Sequence, residues 1–187
     1  MTSSDSIVVT EEPAIATATA GQVVLVRYGA VPEVARFLCA DDVCVDRAQQ
    51  VVVRTHRGLQ IGTVLERLKP SSKSVETDFT LERVATVDDL AAMRTLTRDC
   101  DQAFTAWCSR IVDWNLNLEL IDLEWTLDRD KLILYVLCER GPDSTKLALQ
   151  AAAAGLGIIE VQPVSATGLV QPEKSGGCGT GGCGCSH

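Results

Sequence analysis

Two different spacings of apolar residues divide this chain. From Gln22 the run QVVLVRY reads as a strand. After a loop, VCVDRAQQVVVRTHRGLQIGTVLERL sets two β-branched stretches on either side of the turn-like His56-Arg57-Gly58, which predicts an antiparallel unit of three or four strands over residues 21–74. Lys69-Pro70-Ser71-Ser72-Lys73-Ser74 then brings proline, serine and charge without an apolar period, the mark of an exposed connection, and the subdomain boundary is placed there.

Beyond it the period changes. Phe79 to Ala85 is a short strand, and Thr86 with an acid three residues on, Asp89, predicts a capped helix starting at Val87. Leu90, Met93, Leu96, Cys100, Phe104, Trp107, Cys108 and Ile111 recur at three and four, so one stripe faces a sheet and the helix ends near Trp114-Asn115. Ile121, Leu123, Trp125 and Leu127 alternate with polar residues, and Asp128 to Lys131 turns the chain into the apolar run LILYVLC, a hairpin of one half-exposed and one buried strand. Asp143 to Ala154 is an Ala-rich helix with Ser144 as cap and Gly155 as stop, and Ile158 to Val164 is the last strand. The order β-α-β-β-α-β over 75–170 predicts a ferredoxin-like domain, two helices on one face of a four-stranded antiparallel sheet. The fold class is therefore α+β: a small N-terminal antiparallel β unit, a ferredoxin-like domain, and a Gly/Cys-rich tail over 171–187.

Composition adds a question about the cysteines. A chain of 187 residues, 46% of them hydrophobic, buries enough surface to fold without disulfides or metal, yet it carries eight cysteines. No run approaches the length of a membrane helix, and residues 1–20, rich in Ser, Thr and Ala, hold three acids and no base, so they read as a disordered leader and not a signal peptide. The expected location is cytoplasmic, where thiols stay reduced and grouped cysteines point to metal, iron–sulfur or redox chemistry. A net charge of −8 opposes broad attraction to nucleic acid or an anionic membrane.

The tail SGGCGTGGCGCSH places Cys178, Cys183 and Cys185 in a Cys-x4-Cys-x-Cys pattern followed by His187. Glycines on either side let the backbone wrap closely around an ion, and three thiolates with an imidazole suit zinc or an iron–sulfur cluster. Neighbouring ligands in Cys-x-Cys crowd a single tetrahedral ion, which favours the cluster. Cys100, Cys108 and Cys138 fall on apolar positions and read as core; Cys39 and Cys44 form a second Cys-x4-Cys that reads as strand-end packing, with a thiolate lent to the tail as the alternative. Phosphate-loop, His-Glu-x-x-His and Gly-x-Ser-x-Gly motifs are missing from the sequence, and Gly155-Leu156-Gly157 is too short for a dinucleotide fingerprint. No catalytic residues are assigned. His56 sits in a turn beside Arg54 and Arg57 and reads as solvated surface. Arg54, Arg57, Arg67, Lys69 and Lys73 form a local basic excess that could touch RNA or a partner, or simply line a solvated hairpin edge. Asp122, Glu124, Asp128 and Asp130 read as a polar sheet face and turn chemistry ahead of a metal site.

Arg57-Gly-Leu-Gln-Ile-Gly-Thr-Val64, Ala85-Thr-Val-Asp-Asp-Leu90, Leu118-Glu-Leu-Ile-Asp-Leu-Glu-Trp-Thr-Leu-Asp128 and Lys131-Leu-Ile-Leu-Tyr135 together resemble the C-terminal domain family of the polymerase suppressor proteins (PSP-one), whose bacterial members include the Ric-complex subunit RicT. Cys178-Gly-Thr-Gly-Gly-Cys183-Gly-Cys185 is similar to that family's Cys-Gly-Arg-x-x-Cys-Cys, with one residue inserted and Thr180 in place of arginine. The resemblance implies a non-catalytic cytoplasmic regulatory subunit that assembles with other small proteins, is associated with iron–sulfur binding and influences RNA maturation. It carries cluster ligation to Cys178 and Cys183 and, less directly, to Cys185. The segment Gly157-Ile-Ile-Glu-Val-Gln-Pro-Val164 lacks the arginines usual in the family's last strand. Two other classes stay open: a thiol-redox enzyme using the Cys-x-Cys tail, and a small RNA-binding module.

Overall fold

A computed structural model describes residues 22–40, 43–68, 79–138, 142–165 and 168–170. The leader 1–20, Lys69, Lys73 and the tail 171–187 lie outside the described residues. The first body is a closed barrel of β1 (Val23–Tyr28), β2 (Glu33–Cys39), β3 (Gln50–Thr55), β4 (Gly58–Arg67) and β5 (Thr80–Val84), in the order β1-β2-β5-β3-β4. Alternation along the strands sends Val24, Val26, Phe37, Val51, Val53 and Leu81 into one core. Edge-to-face contact of Tyr28 with Phe37, at 5.4 Å between ring centroids, and a tilted contact of Phe37 with Phe79, also at 5.4 Å, fill its centre. At Gly62 a Cβ would stand 2.4 Å from Val26 Cγ1, so the crossing of β1 and β4 depends on the missing side chain.

The second body begins with α1 (Val87–Asp113), followed by β6 (Glu119–Trp125), β7 (Lys131–Leu137), α2 (Asp143–Ala153), β8 (Ile158–Ser165) and the short β9 (Gly168–Leu169). Its sheet runs β6-β7-β8-β9, antiparallel, then parallel, then antiparallel. Central β7 is apolar on both faces: Leu132, Leu134 and Val136 share a core with Trp107 and Ile111 of α1 and Leu147 of α2, while Ile133 and Tyr135 look the opposite way.

The fold is α+β, but the ferredoxin-like arrangement expected over 75–170 does not form. Its intended first strand, Thr80–Val84, is β5 of the barrel, parallel to β2 through Leu38↔Thr80 and antiparallel to β3. Leu81 is fully buried there, and β5 closes the gap between β2 and β3 that the expected boundary at residues 69–74 would leave open. The remaining sheet is mixed because α2 connects β7 to β8 as a parallel crossover. The first body also contains β2, Glu33–Cys39, where a loop is expected.

The long helix matches its expected limits. Thr86 Oγ1 accepts a hydrogen bond from Asp89 N at 3.2 Å, and Asp89 Oδ2 accepts one from Thr86 N at 2.7 Å, the reciprocal capping box. Arg83, from β5, holds the same carboxylate through Nη2 and Oδ1 at 2.9 Å, and this contact, followed by the Thr86 amide, depresses the Asp89 pKa. A carboxyl depressed in the folded state stabilises above its unfolded pKa, about 4, and that contribution is lost as pH falls below it. Asp89→Asn should therefore cost about 1 kcal/mol near neutral pH, with the gap to wild type narrowing in urea melts run at about pH 3. By contrast, α2 has Pro142 at its N-cap with no side-chain bond, so Ser144 does not cap it. Asp143 instead accepts from Asn117 N at 3.1 Å and pairs with Lys146 at 2.7 Å. Gly155, at φ +68° after the C-cap Ala154, stops the helix as expected. No helix among the described residues is long and apolar enough to cross a membrane.

Candidate functional site: a buried polar junction

The turn between β3 and β4 points Arg57 at the face of the second sheet that the helices leave uncovered. Only 2% of this guanidinium side chain is exposed, and its partners come from both bodies. Nη1 lies 3.1 Å from Glu33 Oε2 in the barrel and 3.4 Å from the Tyr135 phenol of β7; Nη2 donates to Gln162 Oε1 of β8 at 3.2 Å; Nε faces Glu160 Oε1 at 3.6 Å. The guanidinium carbon also sits 5.9 Å from the centroid of the Tyr135 ring. Lys131 Nζ closes the far side on Glu160 at 2.7 Å.

A second hub is Glu124 on β6. Its Oε2 accepts from the Tyr135 hydroxyl at 2.6 Å and from Ala30 N at 2.9 Å, and its Oε1 accepts from Gln60 Nε2 at 2.7 Å. Gln60 in turn accepts from Thr55 Oγ1 at 2.9 Å, and that hydroxyl accepts from Arg57 N at 3.1 Å. The polar chain thus returns to its start. Two glycines permit the approach: Gly29, at φ +83°, would put a Cβ 3.4 Å from the Tyr135 oxygen, and Gly58, at φ +130°, would put one 3.1 Å from Thr126 Cγ2. Beside them Leu127 N donates to Leu59 O at 2.7 Å.

The electrostatics are those of a closed network. Burial acts to lower the Arg57 pKa and its neighbours outweigh it, so the net direction is upward. Near neutral pH the phenols are uncharged, and Glu33 and Glu160 supply the attraction. Burial, then Glu124, raises the Tyr135 pKa far above that of a free phenol; burial, then Glu33, does the same to Tyr28. Arg57 and Lys131 are matched by Glu33 and Glu160, and Glu124 is held by neutral donors, so the arrangement works as a clasp between bodies.

Among the described residues of the basic stretch expected at a surface, Arg57 alone is drawn inside, while Arg54 and Arg67 stay exposed. Arg57 is the buried hub, Arg54 pairs with Glu82 at 2.6 Å, and Arg67 pairs with Asp46 at 2.7 Å while also bonding Val45 O and Cys44 Sγ. His56 is exposed and stacks on Phe79 at 5.7 Å. Of the hairpin carboxylates, Glu124 belongs to the clasp, whereas Asp128 serves the turn by accepting from Asp130 N. The clasp also connects three of the segments that carry the PSP-one resemblance: Arg57, Gly58 and Gln60 come from the first, Glu124 and Thr126 from the third, Lys131 and Tyr135 from the fourth. Charge alone gave no sign that Arg57 is buried. A glycine straight after an arginine in a hairpin turn was the available signal.

Cys178, Cys183, Cys185 and His187 lie outside the described residues, and among the described residues no group of three or more His, Cys, Asp or Glu gathers to hold a metal. Cys39 and Cys100 are buried, Cys108 and Cys138 partly so, and Cys44 is exposed. Burial pushes the Cys100 thiol up to about 11, against a backbone hydrogen bond at Trp125 and with Asp122, Glu124 and Asp101 adding to the rise. Brief alkylation of native protein at about pH 8 should mark Cys44 and spare Cys100 until denaturant is added, as read by peptide mass mapping.

The described chain is thus a two-body α+β protein, a small barrel clasped by ion pairs to a mixed sheet with two helices on one face. Over 139 residues it is 28% identical to the stage 0 sporulation protein YaaT of Bacillus subtilis (strain 168), a match covering 72% of this chain and 48% of that protein. The chain therefore spans about half the length of this curated relative. The relative's name places it at stage 0 of sporulation. No protein-family model and no solved structure matches the chain.

Proposed function

We propose that this chain is a non-catalytic regulatory adaptor of the cytoplasm. It binds other small proteins in a regulatory complex, holds an iron–sulfur cluster, or zinc in its place, through Cys178, Cys183 and Cys185 with His187 as a further donor, and influences RNA processing through its partners. The likeness to a sporulation protein carries the regulatory part of the reading. The clasp supports it, because its buried charged groups are committed to one another and join two bodies. For the metal, the support is the donor set: three soft thiolates and an imidazole within ten residues, among glycines. Direct RNA contact through the hairpin is disfavoured, since Arg54, Arg57 and Arg67 all have acidic partners.

The test is anaerobic purification of the full chain, with iron, zinc and acid-labile sulfide measured beside its visible spectrum. Wild type is compared with a variant carrying Cys178→Ser, Cys183→Ser and Cys185→Ser. Iron with sulfide and an absorption band that the variant loses would support the cluster. Zinc alone, lost in the variant, would make the tail a structural clip, and wild type without either metal would overturn ligation by this chain.

A further inference from the structure

Beside the clasp, a half-open cleft of about 330 Å³ runs between the barrel, the first half of α1 and strand β6. Ile61, Met93, Leu96 and Leu127 give it an apolar side, Gln60, Thr97 and Glu124 a polar one, and the exposed Asp101 and Asp122 line it as well. No Lys, Arg or His lines it. Asp101, Asp122 and Glu124 all act on the buried Cys100 thiol at its floor, so their negative charge converges on the cavity from α1 and β6.

Many of the carboxylates elsewhere in the described residues are neutralised, and those that are not, such as Asp88 and Asp113, lie on open surface away from the cleft. Glu33, Glu82, Glu160, Asp46, Asp89 and Asp99 each face a cation. Glu124 is saturated by three donors. Asp101 and Asp122 form no ion pair among the described residues; the one hydrogen bond to Asp122 Oδ1 comes from the next amide, Leu123 N, at 2.7 Å. A cavity with an apolar side and exposed carboxylates without a cation is complementary to a side chain with an apolar stem and a cationic head. The volume is at the low end of the roughly 300–1,000 Å³ of ligand sites, which suits a short anchor and not a folded domain.

We infer that this cleft receives a basic, amphipathic segment of a partner protein, a Lys or Arg whose charge meets Asp101 and Asp122 while a neighbouring Leu- or Met-sized side chain fills the space against Met93 and Leu96. The inference rests on the adaptor reading and names the chemistry of its partner. Because the contact is partly electrostatic and partly apolar, it is weakened but not abolished by salt.

The probe is a random peptide library, about twelve residues per member, selected against the intact full chain. Enriched peptides should place Lys or Arg beside Leu or Met. Their affinity should fall roughly tenfold or more for Asp101→Asn with Asp122→Asn, and by less than about twofold for Asp88→Asn with Asp113→Asn, which remove the same charge from exposed positions of α1 away from the cleft. Thr97→Trp, which obstructs the cleft without changing charge, should also abolish binding, with circular dichroism checking the fold of each variant. Equal losses in the two charge-matched pairs, or enrichment without this signature, would overturn the inference. Affinity capture from the native cell separates the two failures. Partners retained by wild type and equally by the cleft variant would reject the cleft and leave the adaptor standing, whereas a wild-type chain that retains none would reject the adaptor and the cleft with it.

Discussion

Arg57→Ala is expected to lower the free energy of unfolding by about 3–5 kcal/mol, a large share of the stability of an ordinary domain. The loss comes less from the ion pairs made than from what remains without them. Glu33 would be left in the junction without a cation and Glu160 with Lys131 alone, and Gln162 and the Tyr135 oxygen would each lose a donor. Arg57→Lys restores the charge but has no planar fork to reach both bodies, so it should recover only part of the loss. Equilibrium denaturation in guanidinium, which also screens surface pairs, tests this directly. A change below about 1 kcal/mol, the scale of a solvent-exposed pair, would mean that the junction is wet and the clasp idle.

Phe37→Ala carries the second large effect, about 3–5 kcal/mol for emptying the centre of the barrel. Phe37 is fully buried between Tyr28 and Phe79. All three tryptophans, Trp107, Trp114 and Trp125, belong to the second body. Their fluorescence therefore reports on a part of the molecule that Phe37 does not touch. With the clasp intact, the tryptophan transition should move to lower denaturant together with the circular dichroism. If fluorescence stayed at the wild-type midpoint while the barrel melted early, the two bodies would be independent units. In the double variant with Arg57→Ala that uncoupling is the expected behaviour.

Elements whose signals are local were legible in the sequence. The three-and-four spacing from Leu90 to Ile111 and the Thr86/Asp89 box gave α1 almost to the residue, and the Asp128–Lys131 turn gave the β6–β7 hairpin. Strand β2 was not legible because Val34 and Leu38 are apolar yet exposed while Ala35, Phe37 and Cys39 face the core, so no alternation shows. Pairing was the larger gap. Thr80–Val84 reads as a strand in isolation, but nothing inside it says that its neighbours are β2 and β3. The clasp failed to show for the same reason: Arg57 meets Tyr135 and Gln162 across separations of 78 and 105 residues, and those contacts decide whether an arginine is surface or interior.

The late position of β5 has a consequence for how the chain is made. Strands β1 to β4 leave the ribosome first, and until Thr80–Val84 follows they form an open curl whose β2 and β3 margins both seek a hydrogen-bonding neighbour. The strand that seals this curl leads, through Ala85 and Thr86, straight into the first turn of α1, and its Arg83 grips Asp89 there. Sealing the first body and seeding the second thus become one event in synthesis. A released fragment ending near residue 74 would be sticky at both margins; one that includes β5 and the first turns of α1 can cover those margins and begin the second body.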